Sequence, residues 1–155
     1  MLKQLKQLAI DTEGRYATED ELSFLKDYLA SASTRVAAYE KIRDKEEALL
    51  DEFEAETLSQ DDNAYMIGTQ NRQSVARRDC KYILRHLAVS MLANDLERYR
   101  DGILVWQRTI MKANRFQECS QKVRNSEYRV MEKNFSEEEF QYLKPALLLG
   151  KSVLQ

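Results

Sequence analysis

The sequence contains few of the residues that form turns and cross-links. Its 155 residues include one proline, four glycines and two cysteines. So few turn-forming residues exclude a sheet of many strands, and a composition of 43% hydrophobic and 32% charged residues is typical of a soluble helical protein. We therefore predict an all-α fold and a single domain over residues 1–155.

Long apolar runs, a secretory leader and an excess of one charge are also lacking. No apolar run approaches the roughly 18 residues of a membrane-spanning helix, so we predict no membrane span. Cys80 and Cys119 lack the paired spacing of a metal site, and without a leader they are predicted to be reduced cytosolic thiols. The 24 basic and 26 acidic residues are interspersed, which argues against a nucleic-acid surface.

Residues typical of catalytic sites are scarce. There is no serine or cysteine nucleophile with an evident base, no glycine-rich phosphate loop and one histidine, His86. We predict that the protein is not an enzyme. The acidic run from Glu46 to Glu56 predicts a solvated helix face rather than a metal site, because no histidine joins it.

Apolar periodicity and capping motifs predict the order of the helices. Regularly spaced leucines predict an N-terminal helix over about residues 1–13, and the Thr18-x-x-Glu21 capping box starts a second helix. Residues from about 33 to 58 predict one long helix, or two joined by a bend.

The second half of the chain is predicted to be helical as well. A central helix is expected over about residues 73–95 and another over about residues 96–115, followed by a further helix. A second capping box, at Ser136 and Glu139, predicts a last helix that ends near Val153.

The central helix carries most of the candidate functional residues. At about 100° per residue, one side bears Asp79, Cys80 and His86 among apolar residues. The other side is a cationic ridge, formed by Arg77, Arg78, Lys81 and Arg85. By itself, this pattern also fits an amphipathic surface helix whose basic side chains cover apolar surface.

The order of residues along this helix resembles the bilin-binding helix of phycobilisome proteins, the allophycocyanin and phycocyanin subunits. The resemblance rests on Arg78-Asp79-x-x-Tyr82-x-Leu84-Arg85 followed by Ala93-x-Asp95. Two earlier segments resemble other landmarks of the family, Asp11-x-Glu13-Gly14-Arg15-Tyr16 and Asn63-Ala64-Tyr65. The resemblance implies a globin-like fold with an N-terminal helical hairpin, over residues 1–31, that packs on a partner subunit.

The sequence departs from the family at the point of bilin attachment. Where the family has the cysteine whose thioether holds the bilin, this chain has Ala76. Cys80 lies one helical turn later, and we interpret it as a small buried hydrophobe, with a relocated attachment site as the alternative. The segment between Tyr65 and Ala76 is longer than the family spacing, so we predict a different pocket rim.

The resemblance also implies roles for individual residues. Asp79, Arg78 and Tyr82 match family residues at the bilin, where a carboxylate accepts from pyrrole N–H groups and a guanidinium pairs with a propionate. They would permit non-covalent binding of a phycocyanobilin-like bilin. The alternative is that they are retained for helix and interface geometry alone. Contacts between subunits are implied for Asp11, Arg15, Tyr16 and Arg85.

Three functions are compatible with the sequence. We expect an accessory protein without a stably bound cofactor, which acts in phycobilisome assembly, turnover or bilin supply by binding a family subunit, a second copy of itself, a bilin or a bilin-handling enzyme. The alternative is an allophycocyanin-like light-harvesting subunit whose bilin is held non-covalently or through Cys80. The third is a haem-binding globin-like sensor with His86 as axial ligand. The resemblance implies a location in the cyanobacterial cytoplasm or the plastid stroma, at the phycobilisome.

Overall fold

The computed structural model describes residues 1–154, which form eight α-helices and one short hairpin. The helices are α1 (Leu2–Asp11), α2 (Glu19–Asp44), α3 (Glu46–Gln60), α4 (Gln73–Ala93), α5 (Leu96–Tyr99), α6 (Val105–Ala113), α7 (Gln117–Asn134) and α8 (Glu137–Val153). A π-helical turn, Arg100–Leu104, joins α5 to α6, and the antiparallel strands β1 (Met66–Ile67) and β2 (Gln70–Asn71) precede α4. The all-α prediction is confirmed. Over these residues, every helix is too short or too polar to cross a membrane.

Both predicted capping boxes are present. The Thr18 hydroxyl accepts from the backbone N–H of Glu21 at 3.3 Å, and the Glu21 carboxylate accepts from the N–H of Thr18 at 2.8 Å. Ser136 and Glu139 form the same reciprocal pair at the start of α8, which ends at Val153 as predicted. Each box satisfies amide groups that the first turn of a helix leaves without partners.

The boundary between the second and third helices differs from the expectation. The helix that follows Thr18 was expected to end near residue 31, but α2 continues to Asp44 and meets α3 at Lys45. The segment contains no proline or glycine that would end a helix. In addition, Arg35 ties α2 to the end of α4, because its Nη1 donates to the backbone oxygen of Met91. The proposed hairpin extension therefore shares a continuous helix with the rest of the fold.

The hydrophobic core surrounds α4, whose buried face packs against α2, α3 and α8. The largest side chains that are almost fully buried come from α3, α4, α5, the π-helical turn, α7 and α8, and from Leu154 directly after α8. They are Leu49, Leu50, Phe53, Ile83, Leu84, Leu87, Met91, Tyr99, Leu104, Met131, Leu143 and Leu154. Each buried side chain of this size contributes about 1.5–3 kcal/mol, so α4 is held firmly in position.

The acidic run of α3 faces the cationic ridge of α4. Arg77 lies at the centre of this contact and bonds three carboxylates of α3. These are Glu47 at 2.8 Å, Asp51 at 2.8 Å and Glu54 at 2.9 Å. The acidic run was expected to be only a solvated face, but the structure shows that it also binds α4.

A second group of ion pairs lies further along the same helices. Glu46 accepts from Nη2 of Arg85 at 2.8 Å and lies 3.3 Å from Nζ of Lys81. The hydrogen bonds from Arg85 and Lys81 lower the pKa of Glu46 although partial burial opposes them. The charged face of α4 is therefore paired within the chain.

We expect Arg77→Met to lower the free energy of unfolding by roughly 1 kcal/mol at low salt, because three carboxylates lose their shared cation. High salt should reduce this difference, since it screens exposed charges. Urea unfolding followed by circular dichroism measures both values. Arg43→Met is the matched control, because within residues 1–154 the ion-pair partners of Arg43, Glu40 and Asp44, belong to its own helix. A loss of stability that does not depend on salt would contradict the ion-pair explanation.

We expect the stability difference between wild type and Glu46→Gln to depend on pH. Because the folded pKa of Glu46 is lowered, its contribution is present above the ordinary value of 4.5 and is lost as the pH falls through the folded value. The difference, less than about 1 kcal/mol at pH 7, should therefore shrink by about pH 3.5. Urea unfolding at both pH values tests this. Glu132→Gln, on an exposed part of α7, should show no such trend.

Candidate functional site

A cavity of about 280 Å³ lies between α4, the β-hairpin, α6 and the start of α7. Residues of α4 at helical spacing form one wall: Val75, Ala76, Arg78, Asp79, Cys80 and Ile83. The remaining walls comprise Ile67, Arg72, Ile110, Met111, Asn114, Phe116, Cys119, Ser120, Val123 and Arg124. The volume is close to the lower end of the range for small-molecule sites, and the lining combines apolar side chains with a few converging polar groups.

Asp79 is the carboxylate of this cavity, and both of its oxygens are engaged. Oδ2 accepts from Nε2 of Gln107 at 2.9 Å, and Oδ1 accepts from Nη2 of Arg78 at 3.0 Å. Gln107 is buried on α6, which the π-helical turn connects to α5. No local pattern in the sequence selects Gln107, because its approach to α4 depends on this tertiary contact.

The cavity rim is cationic. Arg78 is 63% exposed at its side chain, and the neighbouring Asp79 is its only ion-pair partner within residues 1–154. Arg72, at the end of the hairpin, bonds the side-chain oxygen of Gln70. Both guanidinium groups can therefore reach a ligand carboxylate at the mouth of the cavity.

Two of the candidate residues on α4 lie outside the cavity wall. Tyr82 is half exposed and does not line the cavity. His86 lies about 10 Å beyond Asp79 along the helix axis, where it is exposed, with Nδ1 2.8 Å from the backbone oxygen of Tyr82. His86 is the only histidine of the chain, so no imidazole lines this cavity.

The cavity wall contains Ala76, which the resemblance matches to the family's bilin-attachment cysteine, and it contains two thiols at other positions. Ala76 lines the cavity on α4. Cys80 is buried, with Sγ 2.9 Å from Nη2 of Arg124, and burial raises its pKa to about 11. Burial also raises the pKa of Cys119. Neither thiol is therefore activated as a thiolate nucleophile.

A buried ion pair on α7 forms part of this site, and the sequence analysis did not identify it. Nη1 of Arg124 donates to Oε2 of Glu127 at 2.6 Å, and both side chains are at most 3% exposed. Burial raises the pKa of Glu127, although Arg124 opposes that shift. The sequence contained a signal for this buried pair, because Arg124 and Glu127 fall on the same face of a helix as the apolar residues Cys119 and Val123.

The residues implied in subunit contacts have partners within one chain. Arg85 bonds Glu46, as described above, and Arg15 donates to both carboxylate oxygens of Glu21 at 2.6 and 2.9 Å. Asp11 accepts from the side chain of Gln7 at 2.7 Å. Tyr16, by contrast, is 98% exposed. The structure does not bring Asp11 and Arg85 together within the chain, so their role between subunits stays a prediction.

Comparison with known proteins agrees with the fold. A sequence model of the family described as "Phycobilisome protein" matches residues 8–137, a range that includes every residue of the cavity wall. The chain is also 33% identical over 101 residues to the allophycocyanin subunit beta-18 of Picosynechococcus sp.. That alignment covers 61% of this chain and spans 58% of the relative's length. The helical architecture matches the globin-like fold of phycobiliproteins. The chain therefore belongs to the phycobilisome protein family.

Proposed function

We propose that this chain is an accessory protein of the phycobilisome family that binds a bilin non-covalently and exchanges it. The observation that carries the proposal is the cavity wall, which contains Ala76 at the position that the resemblance matches to the family's attachment cysteine. Cys80 and Cys119 also line the cavity, but a thioether forms from a thiolate, and burial raises the pKa of both thiols. The cavity can therefore hold a bilin only through contacts that are reversible.

The charges of the cavity suit a bilin. Asp79 offers carboxylate oxygens to pyrrole N–H groups, and Arg72 and Arg78 at the rim suit the two propionates. The cavity volume of about 280 Å³ is small for four linked rings, so part of the ligand would lie outside it. Such partial enclosure favours exchange over lifelong retention, which fits assembly, turnover or bilin supply better than light harvesting.

The N-terminal segment supports a role in binding another protein. None of the residues of α1 is buried, and its apolar side chains Leu2 and Ile10 are more than half exposed. Tyr16, which follows α1, is exposed as well, so the N-terminal segment presents three large apolar side chains to solvent. We propose that this surface packs on a phycobilisome subunit or on a second copy of the chain. A bilin-handling enzyme is the alternative partner for this surface.

Light harvesting and haem sensing each require a residue that the cavity does not supply in a suitable form. A light-harvesting subunit with its bilin on Cys80 requires a reactive thiol, and burial and the raised pKa disfavour one. A haem sensor requires an axial ligand, and His86 lies outside the cavity. We propose no catalytic role for the polar groups of the site. The family suggests that the protein acts where phycobilisomes are assembled, in the cyanobacterial cytoplasm or the plastid stroma.

The protein produced in a host that makes both haem and bilins should carry no pigment that survives acid–urea. Ala76→Cys, produced with a suitable lyase, should gain a covalent bilin detectable by zinc fluorescence, because it restores a thiol at the family position. Cys80 cannot substitute for it, since four residues displace it by about 6 Å along the helix.

The controls for this experiment are Cys80→Ala and Cys119→Ala, alone and combined with Ala76→Cys. Each control alone should carry no covalent bilin, as expected for wild type. Combined with Ala76→Cys, each should keep the covalent bilin that Ala76→Cys gains. A covalent adduct in wild type that Cys80→Ala abolishes would replace the accessory function with the light-harvesting alternative. A Soret band that His86→Ala abolishes would support the haem sensor instead.

We expect the chain to pair with itself or with a phycobilisome subunit, and Arg85→Glu to weaken that pairing about tenfold, the effect of about 1.4 kcal/mol. Adding Asp11→Lys should recover part of the affinity, because it restores opposite charges across the predicted interface. Sedimentation velocity measures the dissociation constants. Lys81→Glu is the matched control, since it also disturbs Glu46 but lies outside the predicted contact. A chain that stays monomeric alone and with subunits contradicts the prediction.

A further inference from the structure

Arg124 is a cation of the cavity wall with unused hydrogen-bonding capacity. A guanidinium carries five N–H groups. In Arg124, Nη1 donates to Glu127 and Nη2 contacts the sulfur of Cys80, but Nε has no partner within the described residues. The side chain is 97% buried, since its exposed fraction is 3%, and water from the bulk does not satisfy the free donor. A buried donor without a partner is unusual and indicates a missing acceptor.

The neighbours of Arg124 determine which acceptor fits. Glu127 already balances the charge of the guanidinium at 2.6 Å, so the pair is neutral as a unit. A second carboxylate placed there would face Glu127 in a region of low dielectric, where repulsion between like charges is strong. A neutral oxygen, such as a carbonyl, accepts the hydrogen bond without this repulsion. The rim is different, because Arg78 is 63% exposed there, so solvent weakens the repulsion between Asp79 and a ligand carboxylate.

We propose that Arg124 donates from Nε to a neutral carbonyl oxygen of the ligand, so that this residue favours entry of a carbonyl-bearing terminal ring into the cavity over entry of a carboxylate. This inference rests on the proposed function, which supplies the ligand class: a bilin has a lactam carbonyl on each terminal ring and its carboxylates on the inner rings. A carbonyl-bearing terminal ring then enters towards α7, and the carboxylates stay at the rim with Arg78. Arg124 is a specificity-determining contact that Glu127 holds in position.

Unpartnered oxygens of two neighbouring side chains are consistent with this arrangement. Oε1 of Glu127 and the hydroxyl of Tyr99 have no partner within the described residues either. Burial, and after it the charge of Glu127, raises the pKa of Tyr99. Neither Glu127 nor Tyr99 lines the cavity, so the proposed contact of the ligand is with Arg124. The competing explanation is an ordered water that bridges the three side chains.

The test measures the affinity of the purified full-length protein for biliverdin and for its dimethyl ester by absorption titration. The variants are Arg124→Lys, which keeps a cation opposite Glu127, and the double substitution Arg124→Met with Glu127→Gln, which removes the pair together. Arg129→Met with Glu56→Gln is the matched control, because it removes an exposed ion pair of the same helix. Thermal melting confirms that each variant is folded.

The Arg124 variants should weaken the binding of biliverdin about 10- to 100-fold, the usual effect of losing a hydrogen bond to a charged group. Binding of the dimethyl ester should weaken by the same factor, because a carbonyl contact does not involve the carboxylates. The control variant should bind both compounds as tightly as wild type does. In infrared spectra of the wild-type complex, the stretch of one terminal carbonyl should be lowered relative to free biliverdin, and Arg124→Lys should raise it again.

Each other outcome overturns the inference in a distinguishable way. A loss for biliverdin that is absent for the dimethyl ester means that Arg124 binds a carboxylate. Unchanged affinity in both variants, or no lowered carbonyl band in the wild-type complex, means that a bridging water satisfies the pair. In these cases the proposed function stands, because biliverdin still binds. Failure of wild type to bind biliverdin overturns the proposed function together with this inference.

Discussion

The burial of one face of α4 holds the rest of the structure in place. Ile83, Leu84 and Leu87 are almost fully buried against α2, α3 and α8, and two turns earlier the same face of the helix forms the cavity wall. The position of Asp79 is therefore determined by apolar packing rather than by its own polar contacts. The ion pairs of Arg77 and Arg85 to α3 flank this buried face of α4 and oppose its rotation about its axis. A site on a helix packed in this way is geometrically precise even without a ligand.

A second anchor fixes the end of α4. Arg35 of α2 donates to the backbone oxygen of Met91, close to the end of α4, and its guanidinium stacks 4.4 Å from the ring centre of Tyr142 on α8. The contact satisfies a carbonyl group at the end of a helix and adds a cation–π interaction. Because Arg35 is also part of the continuous α2, it connects the exposed N-terminal segment to the core. The first half of α2 is therefore a rigid extension of the core, on which α1 is carried.

Local signals in the sequence predicted much of this fold. The capping boxes at Thr18 and Ser136 define helix starts through contacts three residues apart, which the sequence shows directly. The motif around Asp79 is also local in sequence, and Arg78 and Asp79 from it lie in the cavity wall. By contrast, the pairing of α3 with α4 and the approach of Gln107 join residues 23 to 39 positions apart, which no local pattern specifies. The buried Arg124 was missed because charged side chains are expected at the surface unless a partner is identified.

The π-helical turn Arg100–Leu104 allows the site to change in a way that substitution of single residues does not. A π turn contains one residue more than the α-helical turn it replaces. Removal of one residue there would rotate all of α6 by about 100° about its axis, turning Gln107 away from Asp79 and presenting a different row of side chains to the cavity. Insertions and deletions at this turn can therefore exchange a whole wall of the cavity in one step while the core around α4 is retained. Relatives that differ in length here would have different ligand preferences on the same scaffold.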